Sequence, residues 1–180
     1  MKIGFDLDKV FINYPPFISA NLIEKLYKKN TNKKLEYRIP NKYERFIRIA
    51  SHYHILRPPL KNNLDLLKKL TKNKKHQYYL ISSRFSFLEN KTNTIVKKYN
   101  LDKYFKSLNF NYKNIQPHIF KDQKIKELGI NMYIDDDLAL LKYLADKNKK
   151  VKFYWLNNKS DKKLSGNLYA VTSLNKVFPN

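Results

Sequence analysis

The chain has no cysteine, only three glycines, and fifteen acidic residues against thirty-seven basic ones. Without cysteine there are no disulfides and no thiol catalysis, a composition that fits the cytosol. No apolar run approaches the ~18 residues needed to span a bilayer. Met1-Lys2 leads straight into an apolar strand, with no leader-like stretch before it. The sequence therefore predicts a cytoplasmic protein with no membrane partner. Glycine is scarce while Lys, Asn, Tyr and Ile are abundant, the pattern of an A/T-rich coding sequence. A net charge of +22 and a pI near 9.9 would suit a nucleic-acid partner. Lysine, however, outnumbers arginine 32 to 5, and bidentate recognition of phosphates and bases favours arginine. Coding bias is thus the preferred explanation of the charge, although a general attraction to phosphorylated molecules survives it.

The few acids are not scattered. Ile3, Phe5 and Leu7 mark a short buried strand that runs into Asp6 and Asp8. Strand alternation places residues i and i+2 on one side, at the C-terminal edge where ligands collect in open α/β sheets. Two carboxylates so close are costly without a cation or a shared proton. A second apolar strand, Met132-Tyr133-Ile134, ends in Asp135-Asp136-Asp137. One third of the acids in a basic chain therefore close two apolar strands. Oxygen-only clusters of this kind suit Mg²⁺, which takes one or two carboxylates and leaves its other positions to water and phosphate. Asp137 is better placed to cap a helix starting near Leu138, leaving Asp135 and Asp136 as the metal candidates.

Two further segments lie between. Gln77 to Ile81 reads as a strand ending in Ser82-Ser83-Arg84, and Lys121 begins a helical stretch that stops at Gly129, just before the Asp135 strand. A hydroxyl and an ammonium brought to a two-carboxylate metal site would hold a phosphoryl group, the one by donating to its oxygens, the other by neutralising charge.

In their order and strand-end positions these residues resemble the four motifs of the haloacid dehalogenase-like (HAD) phosphohydrolases. Asp6-Leu7-Asp8 is similar to the first, Ser82 to the second, Lys121 to the third and Asp135-Asp136 to the fourth. The resemblance implies that Asp6 is the nucleophile, forming an aspartyl-phosphate, and Asp8 the general acid/base. It implies that Ser82 binds the transferring phosphoryl group and Lys121 stabilises it. Asp6, the backbone carbonyl of Asp8 and Asp135 would hold Mg²⁺, with Asp136 in support. The run from Lys121 to Asp136, and Ser82-Ser83-Arg84, look most like the 5'-deoxyribonucleotidase branch, which adds Ser83 and Arg84 to the substrate-binding candidates. Lys9 stands where that family usually has a small residue, and either crowds the loop or contacts phosphate.

The expected fold class is α/β: a Rossmann-like parallel sheet with helices on both faces and a small helical cap inserted after the first strand. Residues 1–12 and 58–180 form the core in this reading. Residues 13–57 form the cap, with helices over Phe17–Lys28 and Tyr43–Ile55 and a return at Pro58-Pro59. Within the cap, Tyr14, Phe17, Tyr43 and Phe46 read as core rather than as base-stacking groups. His52 and His54 do not share a helix face, which argues against zinc and leaves at most a surface or substrate-facing role. The function expected is an Mg²⁺-dependent phosphomonoester hydrolase, a 5'-nucleotidase acting on (deoxy)nucleoside monophosphates, whose partner is a small phosphorylated substrate. The alternatives are a HAD-fold nucleic-acid-binding protein with impaired catalysis and a phosphatase of polynucleotide ends.

Overall fold

A computed structural model describes residues 1–16, 35–157 and 159–179. Among these residues one seven-stranded sheet has the order β3-β2-β1-β4-β5-β7-β6. Its strands are β1 (Lys2–Phe5), β2 (Gln77–Phe85), β3 (Ser107–Asn111), β4 (Met132–Asp135), β5 (Lys152–Leu156), β6 (Lys162–Ser165) and β7 (Leu168–Val171). All neighbouring pairs are parallel except β6 with β7. The helices are α1 (Lys42–Ser51), α2 (Lys61–Lys72), α3 (Glu89–Lys98), α4 (Pro117–Leu128), α5 (Leu138–Lys147) and α6 (Leu174–Val177). The α/β class and the doubly covered parallel sheet expected from the sequence are both present. No described helix is long and apolar enough to cross a membrane.

Near-continuous apolar strands bury both faces of the sheet, as parallel sheets require. Ile3, Phe5, Tyr78 and Leu80 pack on one face against Leu64 and Leu67 of α2, Ile95 of α3 and Leu174 of α6. Tyr79, Ile81, Tyr133 and Phe153 turn to the other face, against Phe120 and Ile125 of α4 and Leu141 and Leu144 of α5. Gly4 is required where the sheet is tightest: a Cβ there would come within 2.8 Å of the Tyr133 ring.

The order of connections positions the site. From β1 the chain builds outward to β2 and β3, then returns to the other side of β1 with β4. Such a reversal opens a crevice at the strand C-termini. Phe5 is in register with Ile134, so Asp6 and Asp135 follow side by side.

Several boundaries differ from expectation. α4 starts at Pro117, not Lys121, because proline suits the first helical turn. Lys121 therefore lies one turn inside the helix. Gly129 ends it at φ 63, in the left-handed region glycine tolerates. A 3₁₀ turn, Ser86–Leu88, leads directly into α3. The lysine-rich tail contains β6, an edge strand whose lysines face solvent, as edge strands often do. Of the two cap helices expected, α1 is the second, shortened to Ser51 and opened by an Asn41–Glu44 capping box. The first, Phe17–Lys28, lies outside the described residues.

Candidate active site

One cavity of about 480 Å³ opens at the C-terminal ends of β1, β2 and β4, and all nine sequence-predicted site residues line it: Asp6, Asp8, Lys9, Ser82, Ser83, Arg84, Lys121, Asp135 and Asp136. Asp6 closes β1, where its backbone N–H still donates to Ile134 O at 2.9 Å. Asp135 closes β4. Each carboxylate accepts the backbone N–H two residues on, Asp8 N to Asp6 Oδ2 and Asp137 N to Asp135 Oδ1, both at 3.0 Å. These tight turns fix both side chains at the strand ends. Lys121 reaches in from α4 and bridges them, with Nζ 2.9 Å from Asp6 Oδ1 and 2.6 Å from Asp135 Oδ2.

Carboxylate oxygens of Asp6, Asp135 and Asp136 all lie within 4.8 Å of one another. Three carboxyl groups share one ammonium, and the electrostatics reflect the deficit. Burial, with the charges of Asp135 and Asp8, pushes Asp6 up to about 7 against the pull of Lys121. Burial and the carboxylates of Asp135 and Asp6 push Asp136 well above its ordinary value. Burial alone would neutralise Lys121, but Asp135 and Asp6 hold it charged. An all-oxygen set short of positive charge fits a hard divalent cation such as Mg²⁺. Trp155 steadies this corner by donating from Nε1 to the backbone carbonyl of Asp136 at 2.9 Å. Asp137, as expected, caps a helix: its Oδ1 accepts from Ala139 N and Leu140 N of α5.

Asp8 belongs to a different electrostatic setting from the one expected. The chain leaves the strand after Asp6 and turns back, with Phe11 N donating to Leu7 O and Lys9 N to Ile12 O. Strand alternation therefore does not govern Asp8. Its carboxylate faces two guanidinium groups in place of acids. Arg84 donates from Nε to Oδ2 at 2.9 Å and from Nη2 to Oδ1 at 2.8 Å, and Arg57 Nη2 also bonds Oδ1. Although burial opposes it, Arg84 and Arg57 hold Asp8 far below the usual carboxylate range. Lys9, next along, takes a left-handed backbone at φ 60, which is unfavourable for any side chain with a Cβ. A glycine-like turn therefore exists here and lysine occupies it, with its ammonium 5.1 Å from the Tyr14 ring.

On β2, Ser82 is 1 % exposed. Ser83 Oγ is buried without a hydrogen-bond partner among the described residues, a donor that an anion in the cavity would satisfy.

Two contributors, Arg57 and Tyr37, escaped the sequence reading, and Arg48 and His52, the latter allowed a substrate-facing role, join them. Arg57, 2 % exposed, stands just before Pro58-Pro59 where the insertion returns to the core. Arg48 and His52, from α1 and its C-terminal end, are buried and line the cavity. Tyr37 donates to Asp137 Oδ2 at 2.7 Å and exchanges hydrogen bonds with Gln116 at the start of α4. Rarity was an available signal, because three of the five arginines are these buried ones, Arg48, Arg57 and Arg84. Tyr43 and Phe46, expected in the core, are exposed, and neither lines the cavity.

No protein-family model matches the chain, and no curated protein matches it in sequence. Solved structures do match in fold. A haloacid dehalogenase-like hydrolase from Streptococcus pneumoniae superposes with a TM-score of 0.63 at 11 % identity, over 98 % of this chain and 96 % of that one. A HAD-superfamily hydrolase from Ehrlichia chaffeensis gives 0.56 at 13 % identity, over 98 % and 93 %. An uncharacterised protein from Listeria monocytogenes serotype 4b gives 0.55 at 13 %, with the same coverage. The chain therefore has the fold of the haloacid dehalogenase-like hydrolases.

Proposed function

We propose that the protein is an Mg²⁺-dependent phosphomonoester hydrolase, cytoplasmic, whose partner is a small phosphorylated molecule, with a (deoxy)nucleoside monophosphate as the favoured substrate. The observation that carries this reading is the convergence of Asp6, Asp135 and Asp136 within 4.8 Å, with Lys121 bonded to two of them. Mg²⁺, when bound there, would neutralise charge between phosphate and carboxylates and orient the phosphoryl group. Asp6 is the nucleophile, because its carboxylate is fixed at the strand end facing the cavity. Its attack on phosphorus breaks the ester P–O bond, the alcohol leaving with a proton, and water then cleaves the aspartyl-phosphate to inorganic phosphate and free Asp6, which divides hydrolysis into two steps. Lys121 offsets negative charge as Asp6 engages the phosphate. Ser82, Ser83 and Lys9 supply donors to the phosphoryl oxygens.

Asp8 is the general acid/base by its place two residues after Asp6, but both its oxygens are occupied by guanidinium groups. Proton transfer through Asp8 requires at least one arginine to let go. The described part of residues 13–57 acts as a cap in this reading, since Tyr14, Tyr37, Arg48 and His52 all line the cavity from it. The same clamp supports the alternative of a nucleic-acid-binding protein with impaired turnover.

The test is phosphate release from a panel of phosphorylated metabolites, with Mg²⁺ and with chelator. Metal-dependent release, abolished in Asp6→Asn protein that retains its circular dichroism, is expected. Absence of release from every substrate, with sub-micromolar and salt-resistant binding to DNA or RNA, would favour the alternative. Lysine-driven non-specific binding would instead weaken steeply with salt.

A further inference from the structure

The backbone of Lys9 sits at φ 60, the left-handed region where a side chain crowds the following carbonyl and glycine is at ease. The hydrogen bonds that shape its turn are backbone alone, Lys9 N to Ile12 O at 2.7 Å and Phe11 N to Leu7 O at 3.0 Å. Nothing in the turn itself asks for lysine. Lys74, Asn100 and Asn114 also have positive φ, but Lys9 is the one of the four that lines the cavity. Strain kept at such a place points to use of the side chain.

The cavity's other cations are committed. Lys121 is bonded to Asp6 and Asp135, Arg84 and Arg57 to Asp8, and Arg38 to Glu44; Arg48 is engaged as well. The Lys9 ammonium has neither a hydrogen bond nor an ion pair among the described residues. Its neighbour is the Tyr14 ring, whose centroid is 5.1 Å away and lies 5.0 Å from the Arg57 guanidinium. An aromatic face attracts a cation but leaves its charge in place. Lys9 is thus a positive charge at the cavity for which the protein supplies no anion.

Its position says where that anion belongs. Asp6 attacks phosphorus from the end of β1, and in-line displacement sends the departing oxygen to the opposite side. Tyr14, beside which the ammonium lies, belongs to the capping segment rather than to the strand ends. We propose that Lys9 is a specificity-determining residue whose ammonium binds a second anionic group, carried on the leaving-group side of the substrate. The substrate class is then a phosphomonoester that bears a further phosphate or a carboxylate. With three N–H donors, the ammonium can serve the transferring phosphoryl and the second anion together. This inference rests on the phosphoester-binding role proposed for the cavity.

The test compares kcat/KM, with Mg²⁺, within two matched pairs: adenosine 5′-monophosphate against adenosine 3′,5′-bisphosphate, and glycerol 3-phosphate against 3-phosphoglycerate. A charge-assisted hydrogen bond should favour the doubly anionic member of one pair by about tenfold or more, and the pair that shows it identifies the anion as phosphate or carboxylate. Lys9→Met, which keeps the length without the charge, should bring that ratio to within about twofold of unity. Lys9→Arg, which restores a cation, should recover most of it. Equal loss on both members of a pair in Lys9→Met would mean that Lys9 serves the transferring phosphoryl alone, and no preference in the wild-type chain would overturn the proposal outright. The same pairs are titrated calorimetrically, with Mg²⁺, into the full Asp6→Asn chain, where no turnover interferes. Discrimination there without phosphate release by the wild-type chain would refute the phosphatase reading and leave Lys9 in place. Phosphate release with no discrimination would do the reverse.

Discussion

Replacing Lys121 with methionine removes one ammonium and little volume from a site that is 3 % exposed. In the metal-free protein that ammonium is hydrogen-bonded to Asp6 at 2.9 Å and to Asp135 at 2.6 Å. Without it, buried carboxylates face each other unpaired. Breaking a buried ion pair from one side typically costs about 3–5 kcal/mol. For a chain of this size, at about 2–4 °C per kcal/mol, the melting temperature falls by roughly 6–20 °C. The sign of the pH dependence follows from Asp6, already pushed up to about 7 with Lys121 present. Removing a cation pushes it higher, so at pH 6 a proton replaces the ammonium and the loss shrinks, while the loss grows as the pH is raised to 8. Mg²⁺ should restore stability to the variant in proportion to its occupancy. Thermal and urea unfolding, followed by circular dichroism at pH 6 and 8, with chelator and with Mg²⁺, reads all of these. A loss under about 1 kcal/mol at pH 8 in chelator would refute the reasoning. So would equal losses at both pH values and with metal.

Three further outcomes are expected. Mg²⁺ must displace the proton that Asp6 holds below about 7, so its affinity should be roughly tenfold weaker at pH 6 than at pH 8, with proton release visible as buffer-dependent heats in calorimetry; a flat affinity would remove Asp6 from the ligand set. Arg57→Gln removes one of the two guanidinium groups that hold Asp8 low, so the acid limb of the kcat profile should move to higher pH, and less so in Arg57→Lys; an unmoved limb would mean that Arg84 alone sets Asp8. Asp135→Ala should weaken Mg²⁺ binding, measured by calorimetry, far more than Asp137→Ala, whose loss of helix capping should instead cost about 1 kcal/mol of stability in urea unfolding; equal metal effects would mean the ligand is misassigned.

What the sequence made legible is what depends on local periodicity and rarity. Short apolar strands ending in aspartates were visible because fifteen acids in 180 residues make each cluster conspicuous. Gly129 announced the end of α4, and Asp137 the start of α5. The edge strand β6 was hidden because lysines on a solvated edge carry no apolar alternation. The surroundings of Asp8 were hidden for a different reason. A strand-alternation argument extends only as far as the strand, and β1 ends before Asp8. Nothing local to Asp8 says that Arg57, 49 residues on, and Arg84, 76 residues on, will converge on its carboxylate. Pairings at such separations are products of tertiary folding and leave no spacing to read.

The arginines show how a chain of +22 can be read more finely than by its sum. Charge that stays solvated is interchangeable, and here it is lysine almost throughout. A buried cation must satisfy several acceptors from one rigid position, and the planar, always-charged guanidinium does so where a flexible ammonium does not. Arg84 meets this description through its paired bonds to Asp8 and a third to Thr92 at 3.3 Å. Arg57 meets it with its guanidinium between Asp8 and the Tyr14 ring, 5.0 Å from the centroid. Lys121 is the instructive exception: it contacts two separate carboxylates with a single nitrogen, a point charge between two strand ends, which a fork would overfill. Lysine and arginine in this protein thus divide by task, with three of the five arginines buried at or beside the cavity.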